Sequence, residues 1–128
     1  CWCGRSGCLE TFLSESGFED DYERITGERH DAASIAAAAA TGDIVADSVV
    51  QVFEDRLGRA TATIISLFDP QMIILGGMVP LPERLETRVP RKWPGYVQIN
   101  RTKTRLAVSA NGADALLKGA ALLMSGKD

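Results

Sequence analysis

No apolar run in the first half of this sequence is long enough to span a bilayer. Its longest uncharged stretch, Ala32 to Thr41, is alanine-rich and falls short of the roughly 20 residues a spanning helix needs, and no signal-peptide pattern precedes it. A membrane segment is not expected. Clustered positive charge is also scarce. Only Arg101 to Arg105 concentrates Lys and Arg without interleaved acids, and the net charge is -3, so no nucleic-acid partner is expected. Histidine occurs once, at His30, and cysteine does not occur after position 8. Cysteines confined to one short stretch do not make a disulfide framework. They fit a thiolate metal cluster in a reducing compartment, and the cytoplasm is the expected location. The chain opens on a cysteine with no targeting segment ahead of it, and is therefore expected to be the carboxy-terminal part of a longer protein whose amino-terminal half is absent.

What is present supports one domain with a modest core: 128 residues, of which 45% are apolar. The chemistry is concentrated in CWCGRSGCLE at positions 1–10. Cys1, Cys3 and Cys8 are separated by one residue and then four, and Gly4 and Gly7 let the backbone fold tightly enough to aim three sulfurs at one point. A structural zinc takes four N or S ligands, so the set is one short. His30 is a formal candidate for the fourth, but two predicted helices separate it from the loop, and a lone histidine is more often a helix-end residue. The alternative for the cysteines is that small thiols simply fill a core.

The remaining chain reads as scaffold. Two short helices follow the cysteine loop, divided by a break at Ser16-Gly17, with Phe18, Tyr22 and Ile25 on the second and Gly27 ending it. Asp31 is a candidate N-cap for Ala32 to Ala40, and Asp43 for the longest helix, Ile44 to Phe68. That helix spans about 35 to 40 Å, with Val49, Phe53, Leu57, Ala60, Ile64 and Leu67 as its expected apolar face and Gly58 marking a close approach. Asp69-Pro70 stops it. Met72 to Leu75 is a continuous apolar run, the pattern of a strand buried on both faces, and ends in Gly76-Gly77. Helical character from Pro82 to about Val89 is followed by an irregular connection at Pro90, Pro94 and Gly95, a second strand at Arg105 to Ser109, a turn at Asn111-Gly112, and a last helix from Ala115 to Met124 packing through Leu116, Ala120 and Leu123. The expected class is α/β, mostly helical with a few strands, with helices on both sides of the sheet. Glycines at the carboxy end of a strand suit a nucleotide lying on bare backbone; two glycines there are equally an ordinary tight turn.

The stretch CWCGRSGCLE resembles the signature CxCGxxGCxE of the ROK family (repressors, open reading frames and kinases). LFDPQMIILGG at 67–77 resembles that family's DPxxIxLGG segment, and the terminal KGAA its closing GAA. The resemblance implies the carboxy-terminal part of a ribonuclease-H-like domain of the actin and hexokinase type. It implies transfer of the γ-phosphoryl group of ATP, with magnesium, to a hexose hydroxyl, in a protein expected to be a homo-oligomer, most simply a dimer. Within the family, ETFLSESGFEDDY at 10–22 looks most like the fructokinase branch. The competing reading is the sugar-sensing domain of a repressor of the same family.

By the same resemblance, Cys1, Cys3 and Cys8 match zinc ligands whose fourth partner is a histidine upstream of position 1. Glu10 matches a glutamate that binds sugar hydroxyls, although an acid in the first turn of a helix also has a purely local explanation in the helix dipole. Gly76 and Gly77, within the nucleotide-side segment 69–79, match glycines against which the adenosine part of ATP lies. The catalytic base and phosphate loop correspond to nothing in this chain and are expected upstream. Two departures stand out: Met78 replaces a common third glycine, and the family's GDxxG is here Gly112-Ala113-Asp114-Ala115-Leu116.

Overall fold

The computed structural model describes residues 1–77, 80–97 and 102–124, with backbone alone at 113 and 116. The organising element is a 25-residue helix, Ile44–Phe68, with the limits expected from the sequence. Asp43 caps it by accepting a hydrogen bond from the Ala46 N–H at 2.8 Å. At the other end Asp69 takes the left-handed conformation, φ 43°, which a short polar side chain tolerates, and Pro70 after it cannot continue the helix. Numbered in chain order, this helix is α4. It is preceded by α1 (Glu10–Leu13), α2 (Glu15–Thr26) and α3 (Ala32–Ala40), all of which pack on it or on one another. Asp31 caps α3 through the Ser34 N–H at 2.7 Å. Phe18 of α2 meets Phe53 of α4 edge to face, centroids 5.6 Å apart, a geometry that adds to area burial.

The buried face of α4 differs from the expected stripe. Val49, Phe53 and Leu57 are buried, but Ile64 is 40% and Leu67 70% exposed, while Glu54, Gly58, Thr61 and Ile65 lie inside. At 3.6 residues per turn the inward face runs through 50, 54, 57, 61 and 65. Two of those positions are polar, so a hydrophobic pattern steps around them. Thr61 is satisfied in the core: its hydroxyl donates to the Leu57 carbonyl at 2.7 Å and accepts from the Trp93 indole N–H at 2.9 Å. The close approach at Gly58 is real. A Cβ there would stand 3.3 Å from Cβ of Lys92.

The break between α1 and α2 lies at Ser14, not at Ser16-Gly17. The Ser14 hydroxyl accepts from the Gly17 N–H at 3.0 Å, placing Gly17 in the first turn of α2. There a Cβ would come within 2.6 Å of the Thr11 carbonyl oxygen. Glycine serves contact between two helices at this position.

Strands β1 (Met72–Leu75) and β2 (Arg105–Val108) are parallel, paired from Met72 with Arg105 to Leu75 with Val108. The helix between them, α5, runs Pro82–Lys92 and passes straight through Pro90 into a 3-10 turn at Trp93–Gly95. The expected stop near Val89 is overridden by packing. Leu85, Val89 and Trp93, spaced four apart, are all fully buried, enough to offset the roughly 3 kcal/mol of an interior proline. β1 is not buried on both faces. Ile73 and Leu75 pack against the core, whereas Met72 is 38% and Ile74 63% exposed. The last helix, α6 (Ala115–Met124), packs with the turn Gly112–Asp114, and Leu117, Leu123 and Met124 are 74%, 87% and 89% exposed. Of the face expected on α6, Ala120 and Leu123 are exposed, and the side chain of Leu116 lies outside the described residues. No single described helix is long and apolar enough to cross a membrane.

Candidate functional site: the cysteine loop, Glu10 and the Gly-Gly turn

The first eight residues form a reversal closed by a hydrogen bond from the Gly4 N–H to the Cys1 carbonyl at 3.0 Å. Gly4 and Gly7 have φ of 75° and 77°, values an L side chain rarely adopts. The result gathers the sulfurs: the three Sγ atoms lie within 4.8 Å of one another, and Cys3 and Cys8 are 3.4 Å apart. Thiolates about 2.3 Å from a tetrahedral zinc stand about 3.8 Å from each other, so the donor set fits such an ion with one position left for another ligand. Within this chain the thiols fill no core: Cys1 and Cys3 are exposed and Cys8 is half-buried. The Arg5 backbone N–H, followed by the Cys8 thiol, holds the Cys3 thiol below its ordinary range. His30 is not part of the cluster; its ring lies edge-on to Tyr22 with centroids 5.4 Å apart, and its Nε2 is 3.4 Å from Glu28.

Cys8 also anchors the first turn of α1. Its carbonyl accepts from the Thr11 backbone N–H at 3.1 Å and from the Thr11 hydroxyl at 2.7 Å. Glu10, the first residue of that helix, is exposed to solvent. α1 is braced from below: the Arg56 guanidinium of α4 lies 5.1 Å over the Phe12 ring and is tied to the buried carboxylate of Asp21, which also holds Arg24. A short helix that would be marginal alone is thus fixed at the cysteine loop and on α4.

Gly76 and Gly77 end β1, both exposed. Gly77 has φ 82°, and beyond the chain neighbours no atom of the described residues lies within 4 Å of where a Cβ would sit on either. Open bare backbone at a strand end accepts a planar ligand, and it also suits a turn. Position 78 and the end of the 69–79 segment lie outside the described residues. Farther on, Gly112 has φ 55° and Asp114 is exposed in the turn ahead of α6. These features stand on different elements: the cysteine loop and Glu10 are joined to α1 over α2 and α4, the Gly-Gly turn to the paired strands.

Between the two regions is an ion cluster that sequence pattern did not reveal. Glu54 on α4, its side chain 3% exposed, accepts from Arg84 Nε of α5 at 2.5 Å, and Arg84 also bonds Asp47. Arg84 Nη2 is buried without a partner among the described residues. Burial works against the Arg84 charge, but hydrogen bonds to Glu54 and Asp47 outweigh it and raise its pKa. The Arg84 hydrogen bond, followed by that of Gln51, lowers that of Asp47. The cluster fixes the start of α5, and so the segment leading from the Gly-Gly turn, against α4. Acidic and basic residues 30 or more positions apart carry no local signal that they meet.

The chain is 32% identical over 123 residues to an N-acetyl-D-glucosamine kinase of Pectobacterium carotovorum, covering 96% of this chain and 40% of that protein. Among solved structures, a ROK family glucokinase from Streptomyces griseus, in complex with glucose and AMPPNP, superposes with a TM-score of 0.79 at 25% identity, covering 96% of this chain and 46% of the other. A ROK family transcriptional regulator, a homolog of the E. coli MLC protein, superposes with a TM-score of 0.70 at 30% identity, covering 84% and 30%. The chain thus spans about two fifths of the length of the curated relatives it matches. The architecture is that of the actin and hexokinase type, as expected. With the family's model matching residues 1–127, the chain belongs to the ROK family.

Proposed function

We propose that this chain is the sugar- and adenosine-side portion of a cytoplasmic, homodimeric, ATP-dependent hexose kinase that transfers the γ-phosphoryl group of ATP, with magnesium, to a sugar hydroxyl. One observation carries the reading: three sulfurs converge on a point two residues ahead of an exposed carboxylate at the start of a braced helix. A carboxylate accepts two hydroxyl donors at fixed angles, and phosphoryl transfer depends chiefly on such positioning and on charge neutralisation. Glu10 orients the sugar. Cys1, Cys3 and Cys8 would hold a zinc ion, whose contribution when bound is to stiffen the loop from which Glu10 projects. The open backbone of Gly76 and Gly77 receives the adenosine part of ATP. Fructose, glucose and N-acetylglucosamine are the candidate acceptors: the run 10–22 favours the first, and the names of the relatives favour the other two.

The test is a phosphorylation panel of these sugars with the full-length protein that carries this chain. The expected result is turnover of at least one, with Glu10→Gln raising the sugar KM or lowering kcat while zinc content stays at one per chain. Unchanged sugar kinetics would remove Glu10 from the site. No residue here matches the family's catalytic base, so residues 1–128 alone should show no turnover.

The likeness to the transcriptional regulator favours a second reading, a sugar-sensing domain that uses the same loop and Glu10 to bind ligand without phosphorylating it. A DxGxT phosphate motif and a catalytic aspartate upstream decide for the kinase, a basic helix-turn-helix for the repressor.

A further inference from the structure

The Cys3 and Cys8 sulfurs, 3.4 Å apart at the surface, are close enough to react with each other. We propose that Cys3 and Cys8 are an oxidation site for hydroperoxides, forming an intrachain disulfide that removes two of the three sulfurs from the metal position and shifts the start of α1. The inference deepens the proposed function, since it names how that same loop would be regulated. The geometry selects the pair. Cys1 and Cys3 are separated by a single residue, too short a loop for an unstrained disulfide, whereas residues 3 and 8 are joined by a loop with left-handed glycines at 4 and 7. Both sulfurs can be reached, Cys3 being exposed and Cys8 half-buried.

The chemistry balances without a further reagent. The Cys3 thiolate attacks one peroxide oxygen, the O–O bond breaks, and a sulfenic acid and hydroxide result. The Cys8 thiol then attacks the sulfenic sulfur, its proton leaves with the sulfenic oxygen as water, and the S–S bond forms. Two thiols lose two electrons to one peroxide. The consequence reaches Glu10 through the backbone, because the Cys8 carbonyl holds both the amide and the hydroxyl of Thr11. Drawing the Cys8 side chain toward Cys3 pulls on the residue whose carbonyl anchors the first turn of α1. Trp2, 92% exposed between two of the cysteines, is a built-in reporter of that movement.

The experiment treats the reduced full chain with a small excess of hydrogen peroxide, alkylates it, and maps the cysteines by peptide mass spectrometry. The expected result is loss of two of the three alkylatable thiols, a single Cys3–Cys8 link, Cys1 still free, a change in Trp2 fluorescence, and reversal by dithiothreitol. Cys1→Ser should keep the link, and Cys3→Ser and Cys8→Ser should each abolish it. A link through Cys1, an intermolecular disulfide, or three unreacted thiols would overturn the proposal. In zinc-loaded chain the same oxidation should release the metal to a chromophoric chelator. Failure of the reduced chain to bind zinc would refute the metal reading and leave the disulfide result standing by itself.

Discussion

A methyl group at Gly17 would stand 2.6 Å from the Thr11 carbonyl oxygen, a backbone atom that cannot turn aside. Gly17→Ala should therefore push α1 off α2 and cost about 1 to 3 kcal/mol, the range of overpacked core positions. Urea denaturation should show a lower midpoint with an unchanged slope. Gly119→Ala is the control, since no atom lies within 4 Å of its Cβ position in α6, and it should be neutral or stabilise by up to about 1 kcal/mol. Equal effects at the two glycines would mean that the contact between α1 and α2 carries no stability. The sequence could not separate these cases. A glycine after a serine reads as a helix break, and the two differ only in what stands opposite the missing side chain. The gathering of the three sulfurs was legible, because Cys1, Cys3, Cys8 and the two turning glycines lie within eight consecutive residues.

At the scale of elements, α4 shows where pattern reading works and where it stops. Its ends follow from local chemistry, an aspartate cap at one and Asp-Pro at the other, and both stand where the sequence puts them. Its inward face does not, because Glu54 and Thr61 are polar residues made compatible with burial by partners from α5 and the turn after it. Thr61→Val keeps the volume but deprives the buried Trp93 N–H of its acceptor at 2.9 Å. An unsatisfied donor of this kind costs about 1 to 3 kcal/mol, and the thermal midpoint should fall accordingly. The companion Trp93→Phe in the Thr61→Val background tests the cause: if the hydrogen bond matters, the two losses should be less than additive. α5 crosses Pro90 for a related reason, since four-residue spacing of Leu85, Val89 and Trp93 against the core outweighs the preference of a single residue.

For the molecule as a whole, the Glu54–Arg84–Asp47 cluster joins α4 to α5 across 30 and 37 positions of sequence. Glu54→Ala would leave a largely buried guanidinium short of its nearest partner, and removal of one member of a buried pair costs about 3 to 5 kcal/mol; calorimetry on the purified chain should register it as one of the largest single losses. Acid should act on the same link. Asp47 is held below the ordinary aspartate value by Arg84, and Asp55 by the Tyr96 hydroxyl and then by Arg59 and Lys92. A carboxylate with a depressed folded pKa stabilises above its unfolded value, near 3.9, and loses that stability as pH falls through the folded value. Stability measured downward from pH 5 should decline below about pH 4, and less steeply in Asp47→Asn; identical profiles would exclude Asp47. What the sequence determined by itself is whatever depends on neighbours along the chain: the metal-type cysteine spacing, the position of Glu10, the helix caps, the proline stop and the strand-helix-strand order. Only the tertiary structure decided which faces are buried, why Gly17 must be glycine, how far α5 extends past Pro90, and which charges meet. Those outcomes depend on atoms brought together from distant positions, and a one-dimensional pattern carries no distance between them.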